Sequence, residues 1–162
     1  MFELEVVANT PMTPVKDLET VAITFLHQIG YLPKGYDPKT GVENVRQSVP
    51  YRLFVSCFLL KPERFWTIGA LTTVLKTSRP TIYRHLNKLK SLDILEEGNV
   101  QKEGQTLRGY RMRTLRGYRM RYGDLSKAWM FTEAHVKASM ENYRKTADHL
   151  QELVSKEKKS GR

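Results

Sequence analysis

Cysteine is almost absent: the 162-residue chain has one, Cys57. A lone thiol makes no intrachain disulfide and no cysteine-rich zinc site. It sits in the apolar run Leu53–Leu60, so it reads as a buried packing residue. No apolar run approaches the roughly 18–20 residues of a membrane-spanning helix. The start, Met1-Phe2-Glu3-Leu4-Glu5, lacks the basic and apolar segments of a signal peptide. The expectation is a soluble, cytoplasmic chain with no membrane partner. Also missing are a glycine-rich phosphate loop, a His-Glu-x-x-His pair, a Cys-x-x-Cys pair and a nucleophile elbow. The four histidines, His27, His85, His135 and His149, fall in different segments. Nothing pairs a base with a nucleophile or gathers metal ligands. No enzyme, cofactor or metal is therefore expected.

Acidic residues are the minority, 17 against 27 Lys and Arg, for a net charge of +10. That balance favours a polyanionic partner, either nucleic acid or an anionic surface. Apolar residues make up 40% of the chain, enough for a packed core. The length suits one ordinary domain with an appendage.

Residues 1–16 are broken by Pro11 and Pro14. From Asp17, the positions Leu18, Val21, Ala22, Phe25, Leu26 and Ile29 keep helical spacing, and Gly30 is a stop. Pro33, Gly35, Pro38 and Gly41 make 31–48 a loop or linker. Pro50 opens a buried helix over 50–60, ended by Pro62. Thr67 caps a short helix over 68–76 with Ile68, Leu71, Val74 and Leu75 inward. Ser78 caps a second helix, with Pro80 in its first turn. Ile82, Leu86 and Leu89 form that helix's apolar face. Arg79, Thr81, Tyr83, Arg84, Asn87 and Lys88 form the opposite one. Ile94–Glu97 reads as a short strand, Gly98-Asn99 as a turn, and 107–122 as a second strand. From Asp124 a long helix is predicted to about Lys156. Trp129, Val136, Met140, Tyr143, Ala147, Leu150 and Val154 form a heptad seam along it, the pattern of a homodimer.

Residues 106–113 and 114–121 are identical: Thr-Leu-Arg-Gly-Tyr-Arg-Met-Arg, twice. An eight-residue slip is even, so it keeps each side chain on its face, and either copy can pair with Ile94–Glu97. The second copy connects directly to the long helix and is preferred as the regular strand, with the first as the tip.

The run Ser78-Arg79-Pro80-Thr81-Ile82-Tyr83-Arg84-His85-Leu86-Asn87-Lys88-Leu89-Lys90-Ser91-Leu92-Asp93-Ile94-Leu95 resembles the recognition helix and first wing strand of winged helix-turn-helix regulators. The MarR-like and ArsR-like groups of bacteria and archaea share this look. Ile68–Lys76 is similar to the positioning helix of that motif. The resemblance covers roughly 50–122. It departs at Thr72, where a small residue is usual, and at Asp93, where glycine is usual.

It implies a mainly α fold with a small β-hairpin wing: an N-terminal extension over 1–48, a winged helix-turn-helix over 49–123, and a C-terminal dimerisation helix over 124–162. It also implies sequence-specific binding of double-stranded DNA and transcription regulation. Arg79 and Arg84 would read guanines in the major groove, and Asn87 an adenine. Thr67, Ser78, Thr81 and Tyr83 would meet bases or phosphates, and Lys88 phosphates. Arg108, Arg111, Arg113, Arg116 and Arg119 would follow the backbone or enter the minor groove. His85 either packs beside the core or reads DNA. In archaeal members activation can involve the basal transcription machinery, so residues 1–48 are where partner contacts are expected. A solvated basic helix face, a winged-helix protein adaptor and a non-specific nucleic-acid binder are the rival readings.

Overall fold

The structure, a computed structural model, describes residues 10–32, 42–106 and 109–160. Arg108 and the prolines and glycines of 33–41 lie outside the described residues. Helix α1 spans Leu18–Gln28, capped by Asp17, whose carboxylate accepts from the Thr20 N–H at 2.9 Å. Gly30, at φ 73°, ends that segment in a conformation that suits glycine. The buried face differs slightly from the predicted one. Ile23 is buried and Leu18 is exposed, because Ala22, Ile23 and Leu26 are the residues that meet the core. These residues share one continuous cluster with Leu53, Phe54, Leu71, Ile82 and Leu86, so α1 belongs to the same core as the segments after it.

The loop expected over 31–48 is corrected in its second half. Val42–Gln47 is helix α2, which buries Val45. Ser48 then caps α3, Val49–Arg52, with Pro50 in the first turn. The chain continues without a break as a π-helical stretch, Leu53–Leu59. It is apolar almost all round and buries Leu53, Phe54, Val55, Cys57 and Phe58. Cys57 is a free, fully buried thiol, and its carbonyl accepts from Trp66 Nε1 at 2.9 Å. Burial pushes that thiol's pKa up.

Strand β1, Trp66–Thr67, leads into α4, Ile68–Leu75, and Thr67 Oγ1 accepts from the Ala70 N–H as the predicted cap. Leu71 and Leu75 face inward as expected, but Val74 is exposed. Lys76 ends the helix in the left-handed region, at φ 51°. Arg52 reaches across to the last carbonyls of α4, those of Val74 and Leu75, where a cation also favours the helix dipole. Ser78 caps α5, Arg79–Ser91, as predicted. Ile82, Leu86 and Leu89 are its buried face. Asp93 ends α5 in the left-handed region, at φ 58°, a conformation that Asp tolerates better than most non-glycine residues.

Strands β2, Leu95–Thr106, and β3, Gly109–Met120, pair antiparallel along their whole length, and β3 also pairs with β1. The sheet order is β1-β3-β2. The turn predicted at Gly98-Asn99 is not there, because both residues lie inside β2. Gly98 sits opposite Gly117, and the pair leaves room for Phe65. A Cβ on Gly98 would run into the Phe65 ring, and one on Gly117 would come 2.7 Å from Val100 Cγ2. The guanidinium of Arg119 also lies over that ring, 4.6 Å from its centre. Glycine is therefore selected by packing here and not by a turn. Gly98→Val should displace the ring and cost about 1–3 kcal/mol. Thermal unfolding should show the melting midpoint lowered by roughly 2–10 °C.

The second copy of the repeat supplies the pairing with Leu95–Glu97: Met120 faces Leu95, Arg119 faces Glu96 and Tyr118 faces Glu97. Of the first copy, Thr106 ends β2 and Gly109–Arg113 forms the outer part of β3. After a short turn, Arg121–Gly123, helix α6 spans Leu125–Ser160. Asp124 caps it, accepting from the Lys127 N–H at 2.9 Å.

Candidate nucleic-acid interface

The outward face of α5 carries Arg79, Tyr83, Arg84, Asn87 and Lys88, all exposed, with Thr81 half-buried. Thr81 Oγ1 lies 2.9 Å from Ser78 Oγ, so both hydroxyls serve the helix start. Arg79 and Arg84 form no ion pair or hydrogen bond among the described residues, which leaves both guanidinium groups available. Lys88 is different: its Nζ donates to the Tyr31 carbonyl at 3.1 Å and ties α5 to the end of α1. Lys90 pairs with Glu97 and lies over the Tyr118 ring, so it anchors the hairpin to the helix. The hydrogen bond from Lys90 is the main cause that holds the Glu97 carboxyl below its usual range.

Half of His85 is buried edge-on against Tyr31, with ring centres 6.3 Å apart, so it packs. Tyr31 in turn donates its hydroxyl to the Pro50 carbonyl at 3.3 Å, and burial pushes its pKa up. Beside this pair is a cavity of about 500 Å³ lined by Tyr31, Ser48, Pro50, Thr81, Arg84 and His85. Burial first, then the charges of Arg84 and Lys88, lowers the His85 pKa below its ordinary 6.5. A neutral His85 suits the fold. Its contribution to stability is full above the unfolded value of about 6.5 and is lost as pH falls through the lower folded value. His85→Phe should flatten that acid-side loss, read as urea midpoints between pH 8 and pH 5.

The hairpin arginines divide by strand parity. Arg111, Arg113, Arg119 and Arg121 share one face of β3 and its extension, and Arg116 lies on the other with Tyr118 and Met120. Arg119 is taken up by the protein itself. Its Nε donates to Glu96 at 2.6 Å, and it also pairs with Glu63 at 3.4 Å. Arg121 donates to the carbonyls of Asp93 and Leu95 and lies over Phe131. Arg116 is exposed and keeps a 3.6 Å pairing with Glu97. Arg111 and Arg113, on the outer part of the hairpin, are exposed, and no ion pair or hydrogen bond engages their side chains among the described residues. Exposed arginines thus remain on α5, at Arg79 and Arg84, and on both faces of the hairpin, at Arg111 and Arg113 on one and Arg116 on the other.

Helix α6 is docked on the end of α5. Thr132, fully buried, donates to the Leu92 carbonyl at 2.8 Å, and His135 Nδ1 lies 2.6 Å from the Asp93 carboxylate. Trp129 packs edge-on against Phe25 at 5.3 Å, so this first seam residue is used within the chain. Val136 is half-buried and Ala147 exposed. Met140, Tyr143, Leu150 and Val154 are 36% to 71% exposed. Sequence reasoning missed the internal use of Lys88 and Arg119, since both needed partners distant in the chain, Tyr31 and Glu63.

Among the described residues no helix is long and apolar enough to cross a membrane. No protein-family model matches the chain, and no curated protein matches it in sequence.

Proposed function

We propose that this chain is a winged-helix regulator that binds double-stranded DNA in a sequence-specific way, with α5 in the major groove. The observation that carries this reading is the outward face of α5. It presents two uncommitted guanidinium groups, Arg79 and Arg84, beside Tyr83 and Asn87, on a helix whose opposite face is locked into the core. Arginine offers the bidentate donor pair that guanine accepts in the major groove. The order helix, tight connection, helix, long antiparallel hairpin supports the same reading. The hairpin adds Arg111, Arg113 and Arg116 for phosphates or the minor groove.

The functional unit is a homodimer joined through α6. The seam from Val136 to Val154 repeats at three and four residues and lies largely open. One flank of the seam carries Lys137, Arg144, Gln151 and Lys158, with Lys137 and Arg144 paired along the helix to Glu133 and Glu141, and the other carries Ser139, Thr146 and Leu153. A parallel pair sets the basic flank against the neutral one. An antiparallel pair sets basic against basic, which is unfavourable. Parallel helices keep both α5 helices at one end of the dimer. Residues 1–48 are where contacts to the basal transcription machinery would fall.

Titration of random-sequence duplex at two salt concentrations tests the nucleic-acid reading. Binding that weakens steeply with salt, as counterion release demands, is the expected result. No binding even at low salt would remove the reading and put the protein adaptor in its place.

A further inference from the structure

The duplicated segment offers the hairpin a second register by sequence identity. In the described register, β3 residues Thr114–Met120 pair with Gln101–Leu95. The residues eight places earlier are chemically the same. If β3 slides by eight, Gly109 replaces Gly117 opposite Gly98, where Phe65 needs glycine. Tyr110 replaces Tyr118, which is buried, and Met112 replaces Met120, which is fully buried. Arg111 replaces Arg119 beside Glu96, and Arg113 replaces Arg121 beside the Asp93 carbonyl. The slide is even, so no side chain changes face. From Leu95 to Gln101, the pairings are then identical in chemistry in the two registers.

The registers differ in two places only. The described one has five further pairs, from Lys102 with Arg113 out to Thr106 with Gly109. These pairs are weak. Lys102 and Arg113 are like charges set opposite each other, and Gly104 and Gly109 bring no side chain. The residues of this outer arm with described side chains are nearly all exposed, and a two-stranded ribbon in water is marginal. The shifted register closes instead on Lys102-Glu103-Gly104-Gln105, a four-residue loop containing glycine, a common hairpin length. It releases residues 114–121 as a surface loop ahead of α6. The ends of that loop lie where consecutive residues now lie, so closure costs little beyond its length term.

We infer that the hairpin is a two-register element, in which either copy of the repeat can form the core strand and the wing alternates between a long arm and a short one. The shift shortens the arm by five residue pairs, about 17 Å. It also withdraws Arg111 and Arg113 from the arm into the internal positions of Arg119 and Arg121. The folding statement is independent of DNA binding, and only its consequence for reach rests on the regulator reading.

Aspartate at the buried methionine position separates the two registers. Met112 is 58% exposed in the described register, so Met112→Asp should unfold like the parent. Met120→Asp puts a carboxylate at a fully buried site, yet it should remain cooperatively folded, because the first copy takes over. The double variant has no usable copy and should lose its cooperative transition. Amide exchange on Met120→Asp should show protection lost from 114–120 and carried by 106–112. If Met120→Asp unfolds as readily as the double variant, or stays folded with protection still in 114–120, the inference is overturned. Disulfide trapping gives a second measurement, in the full chain with and without Met120→Asp. Gln101→Cys with Thr106→Cys places both thiols on one strand in the described register, about 17 Å apart and too far to bond. In the shifted register they face each other. Cross-linking in the Met120→Asp background is expected, and its absence there contradicts the second register.

Discussion

Arg79→Ala and Arg84→Ala should each weaken binding to the preferred duplex by about 1–3 kcal/mol, roughly 5- to 150-fold, while the melting midpoint stays unchanged. Both side chains are exposed and engage no partner among the described residues, so the fold loses nothing when they are shortened. The loss should concentrate at particular base pairs, so that the variants tolerate sequences the parent rejects. Lys88→Ala should behave in the opposite way. Its ammonium holds the Tyr31 carbonyl, so stability falls and sequence preference persists. Arg111→Ala should weaken all duplexes alike and lower the salt slope by about one. A filter or fluorescence titration across two salt concentrations and a set of single base-pair changes separates these three behaviours.

Leu150→Lys combined with Val154→Lys should give a folded monomer with DNA affinity reduced about 10²- to 10⁴-fold. Both residues are substantially exposed within one chain, so lysine there disturbs no intramolecular packing. In a parallel pair, however, they are seam positions, and a buried lysine on each helix sets two charges against each other without partners. The affinity loss comes from linkage. With two half-sites on one duplex, the second contact of a dimer is intramolecular, and the monomer forfeits that advantage. Sedimentation should show the halved mass, and near-unchanged helical signal should show that the fold survives. The docking of α6 on α5 through Thr132 and His135 makes the connection between seam and recognition face a short, fixed one.

The features legible in the sequence were those set by local chemistry. Thr67 and Ser78 announce helix starts because a side-chain oxygen three residues ahead of an N–H caps it wherever the helix lies. The Ile82, Leu86, Leu89 stripe fixes which side of α5 is core, and so which side is left for a partner. The left-handed Asp93 fits the position where the resemblance puts glycine. The features that stayed hidden depend on distant neighbours. Gly98-Asn99 carries the composition of a turn, but Gly98 is small because Phe65, far earlier in the chain, lies across the strand pair. Helix α2 was masked by the prolines and glycines before it, although Val45 is buried in the core. The π-helical stretch has apolar residues on nearly every side, so periodicity gives no indication of its winding. Arg119 looks the same in sequence as Arg111. Only the fold brings Glu96 and Glu63 to the second copy and leaves the first outside.

Selection from a pool of random duplexes, followed by sequencing of what the protein retains, tests the central claim most directly. The account predicts an enriched palindrome with half-sites about one helical turn apart, roughly 34–36 Å centre to centre, lost in the Arg79→Ala, Arg84→Ala double variant. Retention of duplex without any enriched motif, equal for parent and double variant, would contradict sequence recognition by α5.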